Sequence, residues 1–440
     1  MLAALIPANI DPQTVLAVDD TGETLHYGDL DALRATWATK ISGRRLVAVL
    51  CANTVPMFGA YIGLQAAGHA VILLSSKIAP EALEDLIARY KIEAVVGPEG
   101  VELLAEPAGG LHDDLSVCLS TSGSTGSPKL VRFSTAQLAA NAVSIADYLD
   151  LEADDAPLAH LPFEYSFGLS VLHSHMAVGA TLLLTEHSVM QKPFWERLKE
   201  ATSIAGVPFH FEMLLRMRLG RADLPKMRTL VQAGGKLGPK EAQTLYDMAH
   251  DKGWKFHIMY GQTEAGPRIS WLPFDRMAGH FDCIGQPIPG VTLEISDDGD
   301  LVVNSPAIMM GYAEGRADLA QGDVMDGVLH TGDLAERVEG LYRITGRKSR
   351  FIKLQGNRVS LGDVETRLQS IGHPVCCAGR DDALVIFTEN SDTDVVRTAA
   401  IAQFSFPARS LDVRHLAAFP RRSNDKIDYG ALQALSELEG

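Results

Sequence analysis

The 440-residue chain reads as an α/β protein, with a large N-terminal domain of parallel-type sheets, a β-rich subdomain and a small α+β C-terminal lid. Three observations predict this. Unbroken apolar runs alternate with helical stretches as far as Tyr260, short alternating segments replace them from about residue 290, and a separate α+β pattern follows Arg347. The expected limits are 1–347 for the N-terminal domain, with its β-rich part at about 290–346, and 348–440 for the lid.

Residues 46–76 carry no Asp, Glu, Lys or Arg, a length that could cross a bilayer. Asn53, Pro56, Gly59, Gly63, Gln65, Gly68 and His69 interrupt it, however. It divides into a strand L-V-A-V-L-C, a helix V-P-M-F-G-A-Y-I-G-L-Q-A-A and a strand H-A-V-I-L-L, the pattern of buried parallel strands with a covering helix. Pro80 opens the next helix, with Leu83, Leu86, Ile87 and Tyr90 on one face, and strand I-E-A-V-V follows. T-L-L-L-T and T-L-V-Q-A extend the alternation. V-T-L-E-I and D-L-V-V-N, set off by Gly, Asp and Pro, are period-2 strands of the β-rich part. Beyond Arg347 the pattern predicts a helix at 363–371, strands A-L-V-I-F and L-D-V-R-H-L, a helix at 394–404 and a terminal helix after Asp428.

A formal charge of −16 and a pI near 5.3 argue against nucleic-acid or anionic-membrane partners, so a nucleotide would need a local basic pocket. Cys51, Cys118, Cys283, Cys376 and Cys377 show no metal spacing and read as reduced thiols. The N-terminal M-L-A-A-L-I-P-A-N-I-D has no basic region and is short for a signal peptide, so a cytoplasmic protein without a membrane span is expected.

The most informative stretch is S-T-S-G-S-T-G-S-P-K at 120–129. Glycines let backbone N–H groups converge on an oxyanion and the hydroxyls add donors, which suits a polyphosphate. It is not a Walker A loop, because Pro128 precedes Lys129 and Leu130 follows it.

Further motifs follow in order: L-P-F-E-Y-S-F-G-L at 161–169, A-G-G-K at 233–236, Y-G-Q-T-E at 260–264 and G-Y at 311–312. Then come H-T-G-D at 330–333, I-T-G-R at 344–347, K-L-Q-G-N-R-V at 353–359 and P-R-R-S-N-D-K-I-D-Y at 420–429. As a set they resemble the adenylate-forming (AMP-binding) superfamily of acyl-CoA synthetases, aryl-acid ligases, peptide-synthetase adenylation domains and luciferases.

The resemblance implies an ATP-dependent carboxylate ligase that makes an acyl-adenylate and passes the acyl group to a thiol, either CoA or the phosphopantetheine of a separate carrier protein. It implies ATP and Mg²⁺, and a mobile lid. Thr121, Ser122, Ser124, Thr125 and Lys129 then bind phosphate, and Ala233, Gly234 and Gly235 form the wall under adenine. Tyr260, Gly261 and Gln262 belong to the nucleotide site, and Asp333 and Arg347 to the ribose contacts. Thr263 touches the α-phosphate, Glu264 is the metal carboxylate and Lys426 the catalytic lysine.

Tyr165 falls at an aromatic gate, Ser166 and His210 near the acid, Ser349 at the hinge and Gly356 in the loop that reaches the site after lid rotation. Two positions depart from the family pattern. Ser349 replaces the usual Asp or Lys, and Asp425 stands where glycine is usual, beside a lysine whose pKa it could raise. Ser166 also stands where amino-acid-activating relatives carry an aspartate, so acids without an α-amino group are expected. The rival readings are a stand-alone amino-acid adenylation enzyme loading a carrier and a nucleotide-binding homologue without catalysis.

Overall fold

A computed structural model describes residues 5–120, 129–348, 350–354, 357–380, 382–404, 410–422 and 425–437. The apolar runs form the centres of two large sheets. In the seven-stranded sheet Leu115–Ser120, Ala70–Ser75, Leu46–Cys51 and Ala94–Gly97 run parallel. In the nine-stranded sheet six strands run parallel, from Lys255–Tyr260 through Thr229–Gln232, Ser203–Gly206, Pro157–Ala159 and Leu182–Leu184 to Val15–Val18. These strands are mostly buried because helices such as Val55–Ala66 and Ser166–Met176 cover them. The expected α/β class is the one adopted.

The edges differ from the parallel expectation. Thr24–His26, Ser270–Leu272, Gly100–Leu103, Leu130–Ser134 and Gly311–Ala313 all pair antiparallel. Gly311–Ala313 returns from far along the chain to close the edge beside Leu130–Ser134. Arg132, fully buried on that strand, donates to the carbonyls of Met310, Tyr312, Gln321 and Gly322. A buried guanidinium is thus satisfied entirely by the returning segment, which locks the edge.

The period-2 segments form a four-stranded antiparallel sheet of Thr292–Ile295, Asp300–Asn304, Val328–Val338 and Leu341–Arg347. The C-terminal residues have cores of their own. Val375–Arg380, Ala383–Thr388 and Leu411–His415 make a sheet buried on both faces. Val375 and Cys377 pack with the Leu361–Ser370 and Thr393–Phe404 helices, whereas Cys376 and Ala378 face Leu432 of the terminal helix. All five cysteines are buried and free. Among the described residues no helix is long and apolar enough to cross a membrane.

Candidate active site

Strand register builds the first corner of the site. The hairpin of Val328–Val338 and Leu341–Arg347 pairs Asp333 opposite Arg347. Arg347 Nε donates to Asp333 Oδ1 at 2.6 Å. Tyr260, at the end of the neighbouring parallel strand, donates its hydroxyl to Asp333 Oδ2 at 2.5 Å, and Gln262 Nε2 donates to the same oxygen at 2.8 Å. Three donors therefore hold a carboxylate that is only 2% exposed. Burial opposes the Arg347 charge, and the Asp333 carboxylate outweighs it, leaving the guanidinium pKa above its usual value.

The chain doubles back sharply after Tyr260. A Cβ at Gly261 would collide with the Pro267 carbonyl, so glycine alone permits the turn. That turn presents Thr263 and Glu264. Thr263 Oγ1 lies 3.0 Å from Ser166 Oγ, at the start of the Ser166–Met176 helix. Glu264 Oε1 accepts from the Tyr312 hydroxyl at 2.8 Å. Burial, and then Glu264, push the Tyr312 phenol pKa up. Lys129 Nζ sits 2.7 Å from Glu314 and 5.7 Å from the centre of the Tyr312 ring.

The third corner lies at the end of Thr229–Gln232. Buried Gln232 donates to the carbonyls of Ala233 at 3.2 Å and Gly235 at 2.9 Å, which fixes the A-G-G turn. Gly234 has φ +79°, and a Cβ there would lie 3.2 Å from Lys426 Cε and 3.6 Å from its Nζ. The lysine thus rests on the bare backbone of the turn. Burial, reinforced by Arg347 and Arg422, pulls the Lys426 pKa down, and Glu264 opposes this only in part. The expectation that Asp425 could raise this pKa is not met. Asp425 Oδ2 instead lies 3.2 Å from His210 Nε2.

Tyr165 is the half-buried N-terminal neighbour of Ser166. From Ser166 a narrow cleft runs inward between Leu119, Phe133, Leu138, Leu169 and Pro267. Its described lining includes Asn141, Ser170 and His173 and no acidic side chain. Asn141 Nδ2 donates to the Arg268 carbonyl, while its Oδ1 has no partner among the described residues. His210 lies against Asp425 and is not among the residues that line the cleft. Thr121, Ser122, Ser124, Thr125, Ser349 and Gly356 lie outside the described residues. Sequence reasoning missed Tyr312 as the partner of Glu264, although G-Y was visible as a motif, and gave no signal for Asn141.

Residues 98–313 match the family model described as AMP-binding enzyme. The 2-succinylbenzoate–CoA ligase of Bacillus cereus strain AH820 is 28% identical over 359 residues, covering 75% of this chain and 73% of that protein. A feruloyl-CoA synthase of Amycolatopsis is 28% identical over 324 residues, covering 65% and 63%. ATP-bound MatB from Rhodopseudomonas palustris superposes with a TM-score of 0.80 at 20% identity, covering 99% of this chain and 98% of that one. The o-succinylbenzoate CoA synthetase of Bacillus subtilis, in complex with its acyl-adenylate, gives 0.77 at 20% identity over 97% and 96%. These structural likenesses establish the fold, and the family match takes in the A-G-G-K, Y-G-Q-T-E and G-Y motifs. The chain belongs to the AMP-binding enzymes, the adenylate-forming superfamily.

Proposed function

We propose that the protein is an ATP-dependent acid–thiol ligase that forms an acyl-adenylate and transfers the acyl group to CoA. The observation that carries this reading is the seating of Lys426 on the Gly234 turn, in one site with Thr263, Glu264 and the Asp333 cluster. In the first step a carboxylate oxygen bonds to the α-phosphorus of ATP, and the bond to pyrophosphate breaks. Two anions must meet: at ~3.5 Å and an effective dielectric of about 20, one pair of unit charges repels by about 5 kcal/mol. Lys426 offsets that repulsion where the charge develops. Ser166 and Thr263 orient the acid and the α-phosphate, and Asp333 takes the ribose. In the second step the thiol sulfur attacks the acyl carbon and AMP leaves.

Glu264 would hold Mg²⁺. The described residues contain no cluster of three or more metal-ligating side chains, and a single hard carboxylate suits an ion carried in mainly by phosphates and water. When bound, the ion would neutralise phosphate charge. The same reading makes residues 348–440 a rotating lid, with Ser349 at its hinge, Gly356 in the loop that serves thiol transfer and Thr121, Ser122, Ser124, Thr125 and Lys129 on the phosphates. CoA is favoured as acceptor because the curated relatives are named as CoA ligases.

The cleft supports acids without an α-amino group. No described lining residue carries a negative charge to neutralise an ammonium, and a buried charge without a counter-ion costs several kcal/mol. The test is pyrophosphate release with matched acids, such as propionate against alanine and phenylpropionate against phenylalanine, followed by thioester analysis with CoA. Carboxylate-dependent release, CoA thioester formation and preference for the non-amino acids are expected. Release without a CoA thioester, but with acylation of a pantetheinylated carrier, overturns the acceptor. A consistent preference for the amino acids overturns the substrate class.

A further inference from the structure

Asp425 is the lid's departure from the family pattern, and its contact lies on the other part of the molecule. Its backbone has φ +60°, the left-handed region that explains the usual glycine and that Asp tolerates better than most residues. The side chain reaches His210, on the Pro208–Arg216 helix, at 3.2 Å. The imidazole is positioned for this. Its Nδ1 accepts from the Val207 backbone N–H at 3.4 Å, so in the neutral ring the proton sits on Nε2, facing Asp425. Behind it packs the buried His160 ring, 4.8 Å away and 73° inclined, which donates Nε2–H to the Ala205 carbonyl. Burial, then His210, lowers the His160 pKa to about 3, which keeps it neutral.

Two further contacts hold the same lid loop. The Arg421 guanidinium lies 4.9 Å over the Phe209 ring, and Lys426 rests on the Gly234 turn. The residue before the lysine and the residue four positions further back in the chain thus grip adjacent positions of one helix.

We infer that the Asp425–His210 contact is a clamp that positions Lys426 for adenylation and must open before thiol transfer, making both residues positioning residues for the first half-reaction alone. The inference rests on the two-step ligase reading. A clamp made only in the adenylate-forming arrangement favours that arrangement over the thiol-transferring one by its own differential free energy. Its presence therefore speeds the first step and retards the exchange to the second.

Asp425→Gly is the informative substitution, because it removes the carboxylate and also relieves the positive φ, so the fold is not put at risk. ATP–pyrophosphate exchange is expected to fall about ten-fold, the scale of a catalytic group displaced by a fraction of an ångström. Thioester formation from supplied acyl-adenylate is expected to hold or rise. His210→Ala should act the same way, and the double variant should be no slower than the slower single one. Hydrogen–deuterium exchange of the holo-length chain supplies a readout independent of turnover: residues 207–212 should lose protection in Asp425→Gly. Equal loss in both half-reactions, additive single effects or unchanged protection at 207–212 would each overturn the clamp. A wild-type chain that releases no pyrophosphate with any acid overturns the ligase reading, and the exchange measurement still decides whether the contact holds the lid.

Discussion

Asp333 and Lys426 are opposite charges in one site, the first buried and the second reaching in from an exposed loop, and they are held in different ways. Three donors fix Asp333, all from the N-terminal part of the chain and set by strand register. Lys426 arrives on a loop of the C-terminal part, rests against backbone, and has its charge disfavoured by burial and by two arginines. The contrast separates two tasks. On the proposed two-step reading, a nucleotide must be gripped in the same place throughout, whereas a cation needed for one step must be able to leave.

The largest effect should come from the lysine. Lys426→Ala is expected to slow acyl-adenylate formation by at least about 10²-fold, the cost of one transition-state donor. Thioester formation from supplied acyl-adenylate should be nearly unchanged. Equal loss in both steps would erase the distinction between the two charges.

Asp333→Asn tests the fixed partner. It keeps the shape and removes the buried charge that Arg347, Tyr260 and Gln262 hold in place, so ATP and AMP binding should weaken by roughly 10- to 100-fold, the scale of hydrogen bonds to a charged group. Calorimetric titration of AMP reads this directly. Unaltered AMP affinity would remove Asp333 from the nucleotide site.

Glu264→Gln lies between the two corners. The Mg²⁺ concentration for half-maximal pyrophosphate release should rise about ten-fold or less, since phosphates and water supply the other ligands. The same Mg²⁺ titration curve for both proteins would place the ion elsewhere.

The smallest effect concerns pH. The Lys426 charge is present below its lowered pKa and is lost as pH rises through it, so adenylation should decline on the alkaline side sooner than an ordinary lysine, at 10.5, would allow. Arg422→Ala removes one repelling cation and should move that limb to higher pH. A limb that stays put or moves down would mean another group sets it.

The sequence revealed the fixed corner better than the mobile one. Tyr260 and Arg347 end their strands and Asp333 lies within Val328–Val338, so register dictates where all three sit. Antiparallel edges escaped notice because short strands such as Gly311–Ala313 have no periodicity to read, and their partner is remote in sequence. Asp425 was visible as a departure, but its partner was not. Nothing in the spacing of residues 210 and 425 brings them together; the docking of two separately cored parts does.

The returning strand Gly311–Ala313 has a consequence for synthesis. Residues 115–134 emerge early from the ribosome with an unfilled sheet edge, and Arg132 has none of its four carbonyl acceptors until residues 310–322 follow. At about 5–20 residues per second the interval is on the order of ten seconds or more, during which an exposed edge and an unsatisfied guanidinium invite pairing with other nascent chains. A fragment cut before Met310 should therefore aggregate, whereas one cut beyond Gly322 can close the sheet. Lys129 and Glu264 thus meet their partners Glu314 and Tyr312 through the same late event.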